Sequence, residues 1–143
     1  MVQVAKSDVK FEFKLDSRAL NYLQRQFPER LTKARSKAVE AAGMVWSDEA
    51  KKITQSENHI KTGLFVNSIG YNSGAPAGGG DTIHELTETA NMSKLSIGSA
   101  VSYASALEKR YSIMARAKDQ SQERMAQVAR TQVQKILFGG NGS

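Results

Sequence analysis

The chain has 143 residues, a formal net charge of +6 and a sequence pI near 9.7, a size that fits one domain able to bury about two-thirds of its unfolded surface. It has no cysteine, which excludes disulfides and thiolate metal sites and leaves the redox compartment open. Its first residues, MVQVAKSDVKFEF, contain no apolar signal core, and no stretch approaches the roughly 18 apolar residues of a membrane span, so the expectation is a protein made and used without secretion or membrane.

Residues 9–15 (VKFEFKL) alternate, with Val9, Phe11, Phe13 and Leu15 on one side and Lys10, Glu12 and Lys14 on the other, which predicts a strand with one buried face. Asp16 and Ser17 are capping candidates for a short helix carrying Leu20, Tyr22 and Leu23. Phe27-Pro28 interrupts that helix, because the residue before a proline is pushed out of helical space. Pro28 also suits the first turn of a new helix, with Glu29 at the positive end of its dipole. That helix is predicted to run to about Thr54, since Leu31, Ala34, Ala38, Ala41, Ala42, Val45, Trp46 and Ile53 recur at three- and four-residue steps. Its small middle (Ala38, Ala41, Ala42, Gly43) admits a close neighbour, and Trp46 belongs to the core.

Residues 55–61 are polar and turn-like, and 64–71 (Leu64, Phe65, Val66, Ile69, Tyr71) are predicted as a strand apolar on both faces. NSGAPAGGGD (72–81) carries no large side chain and is expected to be a mobile loop. Residues 82–90 and 94–98 are strand candidates, Leu95 and Ile97 sharing a face, so the middle third is expected to form a small antiparallel meander. YASALEKRY (103–111) predicts a short helix. A final helix from about Ile113 to Phe138 is striped by Met125, Val128, Ala129, Val133, Ile136 and Leu137, and Gly139 stands where a C-terminal cap belongs. The fold class expected is α+β: a long N-terminal helix and a C-terminal helix packed on a small, mostly antiparallel sheet, as one domain over 1–138 with a flexible tail at 139–143.

The basic excess is uneven. Residues 63–107 hold one base, Lys94, against Asp81, Glu85 and Glu88, whereas 108–135 hold seven Lys or Arg and three acids in alternation. Alternating signs fit a solvated helix face better than a phosphate-binding stripe. The two histidines, His59 and His84, lie 25 residues apart, and Glu85 next to His84 on a strand points to the opposite face. No metalloprotease, nucleophile-elbow or phosphate-loop motif occurs, so no catalytic, cofactor or metal residue is assigned and the protein is expected not to be an enzyme.

One arrangement is more specific. After a long helix ending in DEAKKIT comes Thr62-Gly63-x-Phe65-x-x-Ser68-Ile69, and beyond the predicted meander Ile97-Gly98-Ser99 and Tyr103-Ala104-x-x-x-Glu108. This order resembles the tail-completion, or head–tail joining (neck), family of long-tailed phages, over about residues 20–138. The glycine of the corner can take a backbone conformation closed to other residues, and Thr62 can tie its hydroxyl to the local backbone. The resemblance implies a structural virion protein with no cofactor, located in the phage neck after assembly in the host cytoplasm. It implies a homo-oligomeric ring, hexameric rather than dodecameric by preference, between the head-completion (stopper) ring and the tail terminator or tube, with DNA passing through the lumen. Asn72, Gly74, Pro76, Gly79 and Asp81 mark the loop expected to dock on a partner. The alternative left open by the residues is a stand-alone basic nucleic-acid-binding domain.

Overall fold

Phe27 leaves helical geometry at φ −140°, and Pro28, which has no N–H to lose, opens the 29-residue helix α1 (Pro28–Ser56) with Glu29 in its first turn. The computed structural model describes residues 7–13, 22, 25–57, 63–89 and 92–138. The remaining elements are β1 (Ser7–Phe13), α2 (Leu64–Ser68), a 3₁₀ turn (Gly79–Asp81), β2 (Thr82–Glu88), β3 (Ser93–Ser99), α3 (Ala104–Tyr111) and α4 (Ile113–Leu137). Of the expected short helix after Asp16 only Tyr22, helical and exposed, is described among its named residues; His59, Thr62, Gly139 and the tail at 139–143 lie outside the described residues.

The fold is α+β. The two long helices pack along each other, their periodic positions buried as the sequence predicts: Leu31, Ala34 and Ala38 meet Ala129, Val133 and Leu137 at one end. Nearer the sheet, Val39, Ala42, Val45, Trp46, Ala50 and Ile53 join Phe65, Ile69, Leu95, Ile97, Ile113, Met114 and Met125 in a second cluster. Trp46 is fully buried and its indole N–H donates to the Met114 carbonyl at 3.0 Å, so the first turn of α4 is pinned to the middle of α1.

The sheet is antiparallel, in the order β1-β3-β2. Central β3 alternates, its buried Ser93, Leu95, Ile97 and Ser99 sharing the face that meets α1. The register sets Val9 and Phe11 of β1 opposite Ile97 and Leu95, and His84 and Leu86 of β2 opposite the same two residues. The sheet approaches closely because Gly43 offers no side chain: a Cβ there would lie 2.6 Å from Leu95 Cδ2.

Two expectations are corrected. Residues 64–71 are not a strand, so the sheet is not a meander of the middle third; its third strand is β1, from the N-terminal part of the chain. The buried positions of this segment, Phe65, Val66, Ser68 and Ile69, follow helical spacing rather than alternation. The 72–81 segment is also not a loop without local structure. Asn67 Nδ2 donates to the Ala75 carbonyl and Asn72 Nδ2 to the Ala77 carbonyl, both at 3.0 Å. Gly78 N donates to Asp81 Oδ2, and Ala77 is buried. Short polar side chains close the loop in place of the apolar burial it lacks.

Gly70 joins the corner to both layers. Its N–H donates to the Gly98 carbonyl at 3.0 Å, its φ is +72°, and a Cβ would fall 1.8 Å from Ser47 Oγ. Gly70→Ala is therefore expected to cost about 2–5 kcal/mol of unfolding free energy from left-handed strain plus overpacking, measured by chemical denaturation; a loss below about 0.5 kcal/mol, the level of a neutral surface change, contradicts this packing.

Candidate functional site: the lysine-centred corner

The first signature stretch and the second meet in space. Gly63 takes the left-handed conformation, φ +84°, and starts α2, the Asn67 N–H bonding back to its carbonyl at 3.0 Å. Phe65 and Ile69 enter the core, and Ser68 Oγ lies 2.6 Å from Ser99 Oγ, both serines fully buried. Ser68 Oγ donates to the Phe65 carbonyl and Ser99 Oγ accepts from the Val101 N–H, which fixes the direction of the hydroxyl chain: Ser99 donates to Ser68. Thr82 Oγ1 adds a bond to the Ser68 carbonyl. Ile97 and Gly98 are buried beside this contact, and Ala104 is fully buried where α3 starts.

A five-residue helix leaves its last carbonyls without intrahelical donors. Here they are satisfied from a distance. Lys51, on α1 and only 8% exposed, sends its ammonium to the carbonyls of Val66 (3.0 Å), Asn67 (3.2 Å) and Tyr71 (2.9 Å) and to Ser73 Oγ (2.6 Å). Three N–H bonds are thus shared over four acceptors. The Tyr71 ring covers the same ammonium, its centroid 4.1 Å from Nζ. Tyr71 in turn donates its hydroxyl to Asp48 Oδ1 at 2.7 Å. Burial pushes the Lys51 ammonium down to about 8, Asp48 opposing that shift. The Tyr71 phenol is held above its ordinary range, first by the bond to Asp48 and then by burial. His84 borders the corner, Nδ1 3.2 Å from the Gly70 carbonyl and Nε2 3.7 Å from Glu40.

Glu108 has an equally definite place. Ser112 sits in left-handed geometry between α3 and α4 and supplies no side-chain cap. The Glu108 carboxylate reaches over it to accept the Met114 N–H (2.7 Å) and the Ala115 N–H (3.1 Å), filling free donors at the positive end of α4. Arg116 in the next turn pairs with Glu57 beyond the end of α1 and donates to the Tyr111 carbonyl. Tyr103 by contrast is exposed and outside this network. In the loop, Asn72, Gly74, Pro76 and Gly79 are exposed and Asp81 is half-buried.

Sequence reasoning missed two buried cations. Lys51 entered only as part of DEAKKIT at the end of the long helix; its signal was its place on the apolar side of the helix, one turn after Ser47. Arg35, fully buried, donates to the Thr89 carbonyl at 3.0 Å and holds the β2–β3 turn, and burial weakens its grip on its proton against the opposing Glu88. Among the described residues no cluster of His, Asp or Glu suits a metal ion, and no helix is long and apolar enough to cross a membrane. The polar groups of the corner bond one another: Lys51 with the carbonyls and Ser73, Tyr71 with Asp48, and Ser68 with Ser99. Compared with known proteins, the chain matches no family model, no curated protein and no solved structure.

Lys51→Met removes a desolvated charge but takes the ammonium from the Val66 and Tyr71 carbonyls, each costing about 1–3 kcal/mol when unsatisfied, while the Asn67 carbonyl keeps the Ser73 N–H at 2.9 Å. The carbonyls outweigh the relieved charge, so a net loss of roughly 2–3 kcal/mol is expected in denaturant unfolding, and no loss contradicts the account. The pH dependence has a definite sign. Between about pH 8 and 10 an unfolded Lys51, near 10.5, holds a proton that the folded chain has released, so this group's contribution to stability rises with pH across that window. Unfolding free energies at pH 7.5 and 9.5 are expected to rise in the native chain relative to Lys51→Met; a parallel pair of profiles is the contrary outcome.

Proposed function

We propose that this chain is a structural protein of the neck of a long-tailed phage, forming a ring that joins the DNA-filled head to the tail. The observation that carries the reading is the union of its two signature stretches. Phe65, Ser68 and Ile69 lock onto Ile97, Gly98 and Ser99 through the Ser68–Ser99 and Gly70–Gly98 bonds, and Glu108 then sets the start of α4. Residues that look like scattered matches along the sequence serve one joint that fixes both long helices and the sheet. A protein whose polar groups are spent on holding a frame suits assembly better than catalysis.

The mechanism is heterologous self-association, in which one surface of a copy meets a different surface of the next and the ring closes when the rotation fits. Six copies are preferred and twelve are the alternative. The stopper protein and the tail terminator or tube are its neighbours above and below, and the exposed residues of the 72–81 loop offer them a contact. Exposed Arg30, Lys33 and Lys37 lie on one side of α1 and suit contact with DNA phosphates without reading sequence. The same residues favour the second reading, a basic nucleic-acid-binding domain acting alone.

Two measurements separate these. Light scattering and negative-stain images of the purified protein, or of the protein with its virion neighbours, are expected to give a closed ring. Phage particles lacking the protein are expected to accumulate filled heads and finished tails that remain unjoined. A solitary protein that shifts duplex DNA in a salt-dependent manner, with normal particles in its absence, overturns the neck reading and favours the second.

A further inference from the structure

The sheet has two outer strands, and among the described residues neither β1 nor β2 has a partner on its outer side. Both pair with β3 without a bulge over seven residues, and β2 contains neither the proline nor the lysine that commonly blunts an edge. Glu85, Leu86, Thr87 and Glu88 are exposed along it. The shared register gives the two rims opposite charge at one level. Lys10 of β1 and Glu85 of β2 are both opposite Ser96, and each is the middle residue of its strand.

We infer that copies of this chain join edge to edge through the sheet, β2 of one copy running parallel to β1 of the next, with Glu85 level with Lys10. This inference rests on the ring reading and names the surface that closes it. Strand direction follows from the topology. Both outer strands run antiparallel to β3, so a rotation about an axis along the strands brings them together in parallel. Such a rotation carries no translation along the strands, so residues at the same level meet, which a closed ring requires and an open helix does not.

Charge selects this pairing over its competitors. Full two-fold pairing of β2 with β2 sets Glu85 against Glu85, and β1 with β1 sets Lys10 against Lys10; like charges directly opposite are unfavourable. A slip of two residues between β2 and β1 sets Glu85 level with Asp8 or Glu12, since these flank Lys10 on the same face. The level register alone among these brings Glu85 to a cation, and it sets Leu86 level with Phe11.

The chain has no cysteine, so single thiols report the contact. Glu85→Cys mixed with Lys10→Cys is expected to give a disulfide-linked dimer on mild oxidation that neither gives alone. The double variant is expected to give a ladder ending at the closed ring. Glu85→Lys is expected to raise the concentration needed for assembly about tenfold, and adding Lys10→Glu to restore it; the rescue excludes simple misfolding. Crosslinking of Glu85→Cys with itself overturns the inference. A ring seen by light scattering without the mixed crosslink overturns it while leaving the neck reading standing. Preparations that stay monomeric with all virion neighbours present overturn both.

Discussion

The structure depends on one ammonium placed among carbonyls. Helix α2 is too short to satisfy its own backbone, and the chain after it must turn back at once to reach β2. Lys51 gathers the carbonyls of Val66, Asn67 and Tyr71 onto a single point of α1, with Ser73 completing the set. Burying a charge is costly, and charge-assisted bonds to several acceptors offset part of that cost and orient the acceptors too. Once these carbonyls are held, Gly70 can lie against Ser47 and bond Gly98, Ser68 can meet Ser99, and the end of the central strand β3 is fixed to the long helix.

Glu108 repeats the same physics with the opposite sign. A carboxylate outside the helix serves the free N–H groups at the start of α4, as the ammonium of Lys51 serves the free carbonyls at the end of α2. Trp46, between them, ties the α4 start back to α1. These remote caps tie the corner, the central strand and the two long helices to one another, while Glu85 to Glu88 of β2 and most of the 72–81 loop are exposed. That division suits the proposed ring, in which a rigid body presents edges to its neighbours.

The long helices were legible because their burial is periodic: Leu31 to Ile53 and Met125 to Leu137 carry apolar stripes at helical steps, and the structure buries them against one another. Strands β2 and β3 were legible from alternation around Leu95 and Ile97. The corner was legible as a landmark, through Gly63, but not in its conformation. Its short apolar run suits strand or helix until the donor for its carbonyls is known, and that donor lies 15 residues upstream in sequence. The loop misled for a related reason: small residues suggest nothing to bury, whereas Asn67, Asn72 and Asp81 close it with hydrogen bonds. Lys51 and Arg35 escaped notice because the rule that charge lies outside holds for single residues and fails where a backbone needs donors.

Site-resolved NMR of the Lys51 side-chain nitrogen and its neighbouring methylene tests the central claim most directly. The account predicts a group that titrates near pH 8, well below the ordinary lysine value, and that shows contacts to the Tyr71 ring. A Lys51 that titrates together with the exposed lysines and shows no such contact would mean that the ammonium stands in water, and the corner would need another cause.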